Sequence, residues 1–158
     1  MLYNHRMRHI LIQTDDPASP AARELIERLD ILMSSLYPAE SNHLLSAEAL
    51  RQPDVTFLTA GVDGEVAGCG AFVNRGGEYA EIKRMFVLPE FRGLKLGRRI
   101  LEELENRARA SGLALARLET GIRQPEALLL YERAGYQRCG PFGDYSEDPL
   151  SIFMEKKL

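Results

Sequence analysis

The chain has 158 residues, 45% of them hydrophobic, which is enough for one domain to bury its own core. Its 20 Lys and Arg against 23 Asp and Glu leave a formal net charge of -3, which excludes a nucleic-acid binder working through bulk positive charge. Cys69 and Cys139 are too few for a disulfide framework, and no His/Cys pair has zinc spacing.

The N-terminus is basic at His5, Arg6 and Arg8, but the apolar segment Ile10-Leu11-Ile12 is too short for a signal peptide. No apolar run approaches the roughly 20 residues of a membrane span, so a cytoplasmic protein is expected. His5 and His9 lie four apart with no helix to present them, and no metal site is expected. Residues 10–14 read as a strand ended by Asp15-Asp16-Pro17. Ser19-Pro20 then supplies an N-cap with proline in the first turn, and Leu25, Ile26, Leu29, Leu32, Met33 and Leu36 follow at helical spacing. Pro38 stops that helix. Residues 46–50 predict a second, shorter helix closed by Pro53.

Strands are predicted over 55–60, 66–73 and 79–88, joined by turns at Asp63-Gly64 and at 74–77. Gly68-Cys69-Gly70 is no dinucleotide fingerprint, because no third glycine and no helix follow; close strand packing is the expected role. Leu96, Ile100, Leu101, Leu104 and Ala108 trace the apolar stripe of a helix that Ser111-Gly112 ends. A strand over 113–120 follows, then a helix from Gln124-Pro125 to Arg133 that Gly135 terminates. Strands over 136–139 and 151–156 complete the chain. The predicted order is βααβββαβαββ, one α/β (α+β) domain over 1–158 with a mixed sheet and helices on both faces. The unit around 79–120 predicts a parallel crossover.

One stretch points to chemistry. The strand at 81–87, the turn Leu88-Pro89-Glu90-Phe91 and the loop at 92–99 bring backbone N–H groups and a helix N-terminus toward one point, which suits a phosphate. Arg92, Lys95, Arg98 and Arg99 crowd around it. Such a local cluster in an otherwise balanced chain implies a small anionic ligand; the plainer reading is a solvated helix face.

Three features in order carry a resemblance. They are the strand at 81–87, the loop Arg92-Gly93-Leu94-Lys95-Leu96-Gly97, and the run Ala127-Leu128-Leu129-Leu130-Tyr131-Glu132-Arg133-Ala134-Gly135-Tyr136. The loop is similar to a Gln/Arg-x-x-Gly-x-Gly/Ala pyrophosphate loop, and the run to a late helix ending in Tyr-x-x-x-Gly-Phe/Tyr. In these the chain resembles the GNAT superfamily of acyl-CoA-dependent N-acetyltransferases. Two departures stand out: Lys95 falls where the loop's first glycine belongs, and Gln124 where an Asn is common.

The resemblance implies a GNAT-like, mostly antiparallel sheet, acetyl-CoA as cosubstrate and no metal. It implies direct acetyl transfer, in a ternary complex, to a primary amine of a small metabolite resembling an amino acid or polyamine. A protein N-terminal or lysine acetyltransferase is the enzymatic alternative, and a catalytically silent acyl-CoA-binding sensor is the alternative of another class. The expected partner is the small-molecule acceptor, with no nucleic acid and no membrane; a homodimer is left open. The main chain of Met85, Phe86 and Val87 would pair with pantetheine and polarise the thioester carbonyl. Arg92, Gly93, Leu94, Lys95, Leu96, Gly97 and Arg98 would hold the pyrophosphate, and Gln124 would reach the pantetheine arm. Tyr131 is the expected general acid. Glu81 is the expected base, directly or through a water, with Glu119 competing; an exposed strand-end glutamate paired with Lys83 or Arg84 is the other reading of Glu81. Glu40, His43 and Tyr145 are candidates for the acceptor side.

Overall fold

A computed structural model describes residues 7–158 of the chain; His5 and Arg6 lie outside the described residues. The elements are β1 (Ile10–Thr14), α1 (Pro20–Leu36), β2 (Val55–Val62), β3 (Glu65–Arg75), β4 (Tyr79–Val87), α2 (Leu96–Ala110), β5 (Leu115–Gly121), α3 (Pro125–Arg133), β6 (Gln137–Cys139) and β7 (Ser151–Lys157). All seven strands share one sheet in the order β1-β2-β3-β4-β5-β7-β6. Every pair is antiparallel except β4 with β5, which α2 joins as the expected crossover.

Local chemistry explains most boundaries. Ser19 Oγ accepts the Ala22 N–H at 3.4 Å, and Pro20 opens α1 where its missing N–H costs nothing. Asp63 (φ 50°) and Gly64 (φ 87°) both take positive φ, the turn that matches the twist of a two-residue hairpin. The second helix expected over 46–50 is instead a single 3₁₀ turn, Ala49–Arg51. Five residues before a proline cannot repay the cost of nucleating an α-helix, and Ser46 Oγ caps only Ala49 N–H at 3.1 Å.

The sheet is covered on both faces. Leu25 and Ile26 of α1 bury against Phe57, Cys69 and Ala71 on one face. Ile100, Leu101 and Leu104 of α2 bury against Leu58, Phe72 and Leu118 on the other. Each such side chain withdrawn from water contributes about 1.5–3 kcal/mol. Gly70 sets how closely α2 approaches: a Cβ there would lie 2.6 Å from Met85 Sδ and 2.7 Å from Ile100 Cγ2. Gly68 shows the close strand packing expected of the pair, since a Cβ there would lie 2.9 Å from the Phe86 carbonyl oxygen, whereas Gly70 makes room chiefly for α2.

Two irregularities in β4 open the middle of the sheet. Its pairing with β5 runs only from Ala80↔Ala116 to Ile82↔Leu118, so the two strands part beyond Ile82. At the same place the register with β3 slips between Cys69 and Ala71, and Arg84 adopts φ 57°. This is a β-bulge with a left-handed arginine at its centre.

Candidate active site

A cavity of about 500 Å³ opens where β4 and β5 part. Residues 82–87 of β4 form one wall, and beyond Ile82 their main chain on this side has no strand partner. Glu119, Thr120 and Gly121 of β5 form the opposite wall, with Gln124, Leu130 and Tyr131 from α3 and the turn before it. The cavity runs from Arg92 and Gly97 at one end to residues 41–44 at the other.

At the first end, α2 starts without a side-chain cap, so the N–H groups of its first turn are open to a ligand. The helix dipole adds its positive end there. Lys95, at the N-cap position, has φ 57°, the left-handed conformation a glycine would adopt freely. The Lys thus replaces the resembled glycine without changing the turn, at a strain of order 1 kcal/mol. Gly93, at φ 88°, supplies the other left-handed residue of the loop. Arg92 reaches the cavity. Arg98 does not: its Nε donates to Glu102 Oε1 at 3.0 Å along the helix surface. Leu96 turns into the core and is not part of the cavity lining.

Midway along, Tyr131 lines the cavity although it is only 6% exposed. Its hydroxyl makes no hydrogen bond to a described residue, and burial, reinforced by the Glu119 charge, pushes its pKa upward. A neutral phenol that cannot easily ionise remains a donor. Glu119 faces the same space. Burial raises its carboxyl pKa, against the opposing pull of Ser151, His43 and Lys83. Gln124 Oε1 accepts from Tyr37 OH at 3.3 Å, and Tyr37 OH accepts the Arg123 N–H at 3.0 Å. Tyr37 lies so tightly on β5 that a Cβ at Gly121 would sit 1.9 Å from its hydroxyl.

Glu81 stands differently. It is 2% exposed and does not line the cavity. Arg75 Nη2 lies 2.8 Å from its Oε1, while Lys83 Nζ (3.2 Å) and the donating Tyr145 OH (2.7 Å) meet Oε2. Burial pushes its pKa up, but Lys83, the Tyr145 hydrogen bond and Arg75 outweigh this and hold it below the ordinary value. A carboxylate so thoroughly engaged is a weak proton acceptor. Glu81 is thus paired with Lys83, as the alternative reading has it, but it is buried rather than exposed, and Arg84 turns away to Asp30 and Leu45.

At the far end two loops are stitched together. Ser41 Oγ donates to Asp148 Oδ2 at 2.6 Å, and the His43 and Tyr145 rings meet edge-on with centroids 5.3 Å apart. Lys83 Nζ donates to the His43 carbonyl at 3.0 Å and to Tyr145 OH. His43 lines the cavity, whereas Tyr145 stands behind it as a brace and Glu40 is exposed on the 3₁₀ turn Ala39–Ser41, outside the lining. Tyr37 also lines the cavity, as do Lys83, Arg84 and Arg123, which the sequence did not mark as site residues. Among the described residues no group of three or more His, Cys, Asp or Glu could hold a metal, and no helix is long and apolar enough to cross a membrane.

A model of the Acetyltransferase (GNAT) family matches residues 8–136. The chain belongs to that family. It is therefore an acyltransferase, and its sheet and three α-helices are those of the GNAT fold. An IAA acetyltransferase of Azospirillum brasilense is 49% identical over 153 residues, covering 96% of this chain and all of that one (100%). The structure of a candidate acyl-CoA N-acyltransferase from Klebsiella pneumoniae superposes with a TM-score of 0.80 at 37% identity, covering 94% of this chain and 97% of that one. The PaiA N-acetyltransferase of Thermoplasma acidophilum, solved with coenzyme A, shares the fold at a TM-score of 0.72 and 20% identity, over 95% of this chain and 99% of that one.

Proposed function

We propose that this GNAT protein transfers the acetyl group of acetyl-CoA directly to a primary amine of a small, amino acid-like molecule, with both substrates bound at once. The observation that carries this reading is the shared cavity. An open helix N-terminus, an unpaired strand edge, a free phenol and a perturbed carboxylate all face it.

In this reading the pyrophosphate sits on the first-turn amides of α2, with Arg92 adding a charge-assisted hydrogen bond. The pantetheine arm occupies the gap between β4 and β5, beside Gln124. A main-chain N–H of the 85–87 segment polarises the thioester carbonyl and steadies the oxyanion as the amine attacks. Glu119, with its raised pKa, takes the proton that the attacking ammonium must lose. Tyr131 donates to the departing thiolate sulfur, and the second proton lost by the nitrogen restores its phenol. Glu81 keeps the acceptor loops in place through Lys83 and Tyr145. The Arg123 cation in the cavity wall suits an acceptor that carries an acid as well as an amine, and disfavours a polyamine.

The test is release of free CoA from acetyl-CoA with a panel of amino acids, polyamines and lysine peptides, with IAA included because a relative bears that name. Turnover confined to acid-bearing small amines supports the reading. Turnover only with peptides, or binding of acetyl-CoA without turnover on any acceptor, overturns it.

A further inference from the structure

A strand sends successive side chains to opposite faces, and β4 obeys this up to Lys83. Ala80 and Ile82 point into the core under α2, while Glu81 and Lys83 point to the opposite face, where they meet Tyr145 and the His43 carbonyl. Alternation would next send Arg84 under α2, where a guanidinium would be buried among leucines. The left-handed turn at Arg84 cancels that step and gives the face opposite α2 two long cationic side chains in a row. Beyond the bulge the alternation resumes: Met85 and Val87 pack under α2, and Phe86 packs against the α1 side.

Arg84 is only 6% exposed, and each of its three side-chain nitrogens has a partner. Its Nε donates to the Leu45 carbonyl at 2.9 Å, Nη2 donates to the same oxygen, and Nη1 bonds Asp30 Oδ1 of α1 at 2.6 Å. Leu45 ends the segment whose residues 41–44 close the far end of the cavity. Apart from the 3₁₀ turn Ala39–Ser41, this segment has no helix or strand of its own between Pro38 and Ala49.

We propose that Arg84 is a positioning residue that sets the acceptor wall against the thioester. One left-handed residue both frees the β4 edge at which the cofactor is proposed to bind and carries the guanidinium that clamps the segment at Leu45. The spacing between the two substrate sites is thereby fixed by a single bulge. The clamp itself is independent of the proposed chemistry; its consequence for acetyl transfer rests on that reading.

Arg84→Gly separates the two roles, because glycine keeps the left-handed bulge without strain while removing the clamp. Amide hydrogen exchange of full-length protein is followed over residues 40–48, beside acetyl-CoA binding by calorimetry. Exchange across 40–48 should accelerate at least tenfold in Arg84→Gly, with acetyl-CoA affinity within twofold of wild type. For the amine that wild type acetylates best, kcat/KM for the amine should fall at least tenfold while KM for acetyl-CoA holds within twofold. Asp30→Ala, which leaves both Leu45 bonds, should show the same pattern more weakly. Arg84→Lys, which cannot bond Asp30 and Leu45 together, should not restore the loop. Unchanged exchange over 40–48 in Arg84→Gly, or equal losses toward amine and acetyl-CoA, overturns the proposal. If wild type takes up no acetyl-CoA, the functional reading fails while the exchange result still decides the clamp.

Discussion

The two ends of the cavity are built from different materials. The end facing α2 is main chain: open helix amides, an unpaired strand edge, and glycines or a left-handed lysine that shape the turn. The far end is side chain: Ser41 to Asp148, His43 to Tyr145, Lys83 and Arg84 to loop carbonyls. Main-chain sites tolerate replacement of the side chains around them, as Lys95 in a glycine position illustrates. Side-chain stitching makes the second end specific and fragile. Under the proposed function, one fold can thus hold a constant donor while its acceptor changes.

The largest effect is expected at the chemistry between the ends. Tyr131→Phe should cut turnover about 10²–10⁴-fold, the usual worth of a placed proton donor, while leaving acetyl-CoA affinity unchanged in calorimetry. Unchanged turnover would remove this phenol from the mechanism.

Next come the two glutamates, which should respond in opposite directions. Glu81 has a lowered folded pKa, so its stabilisation is present above the ordinary carboxylate range and lost as pH falls through the lowered value. Glu81→Gln should therefore destabilise at neutral pH, by about 3 kcal/mol, since it strips a buried charge from Arg75 and Lys83. Glu119 has a raised folded pKa, so the preference of the fold for its protonated form is present below the unfolded value and lost as pH rises through the folded one. Glu119→Gln should therefore raise the neutral-pH melting temperature, lower kcat/KM at least tenfold, and abolish the acidic limb of its pH profile. Melting curves across pH 3–8 (on the order of the carboxylate titration range) check both signs. Shifts of the same sign would dissolve the distinction between brace and base.

Smaller effects refine the contrast. Gly70→Val should cost about 1–3 kcal/mol by overpacking Met85 and Ile100, read as a fall in melting temperature. Arg98→Ala should change stability by less than about 0.5 kcal/mol, because its exposed partner Glu102 is one turn away. It should also weaken acetyl-CoA less than Arg92→Ala does. Equal weakening would place both arginines on phosphate.

The same difference in material explains what the sequence disclosed. The donor end was legible because turn residues, glycines and a helix start lie within one short run, 88–97, and each announces a backbone conformation. The strands and two of the helices were legible from period, and even the glycine pair at 68 and 70 declared its packing role. The short helix at 46–50 was misread because apolar spacing over five residues cannot distinguish an α-helix from a 3₁₀ turn. At the acceptor end, Ser41 meets Asp148 across 107 residues and Tyr145 meets Glu81 across 64. No local pattern encodes such contacts. Glu81 and Lys83 did share a strand face by alternation, which already allowed an ion pair. Arg84 gave no sign of its bulge, since arginine is not a residue that usually marks positive φ.

Residue-resolved amide exchange with and without acetyl-CoA probes the proposed main-chain donor site itself. Saturating acetyl-CoA should slow exchange at the amides of residues 96–98 and along 84–87, while the 140–150 loop stays as it was. Full saturation with no protection at either segment would refute a donor site built from these amides, as would no uptake of acetyl-CoA at all.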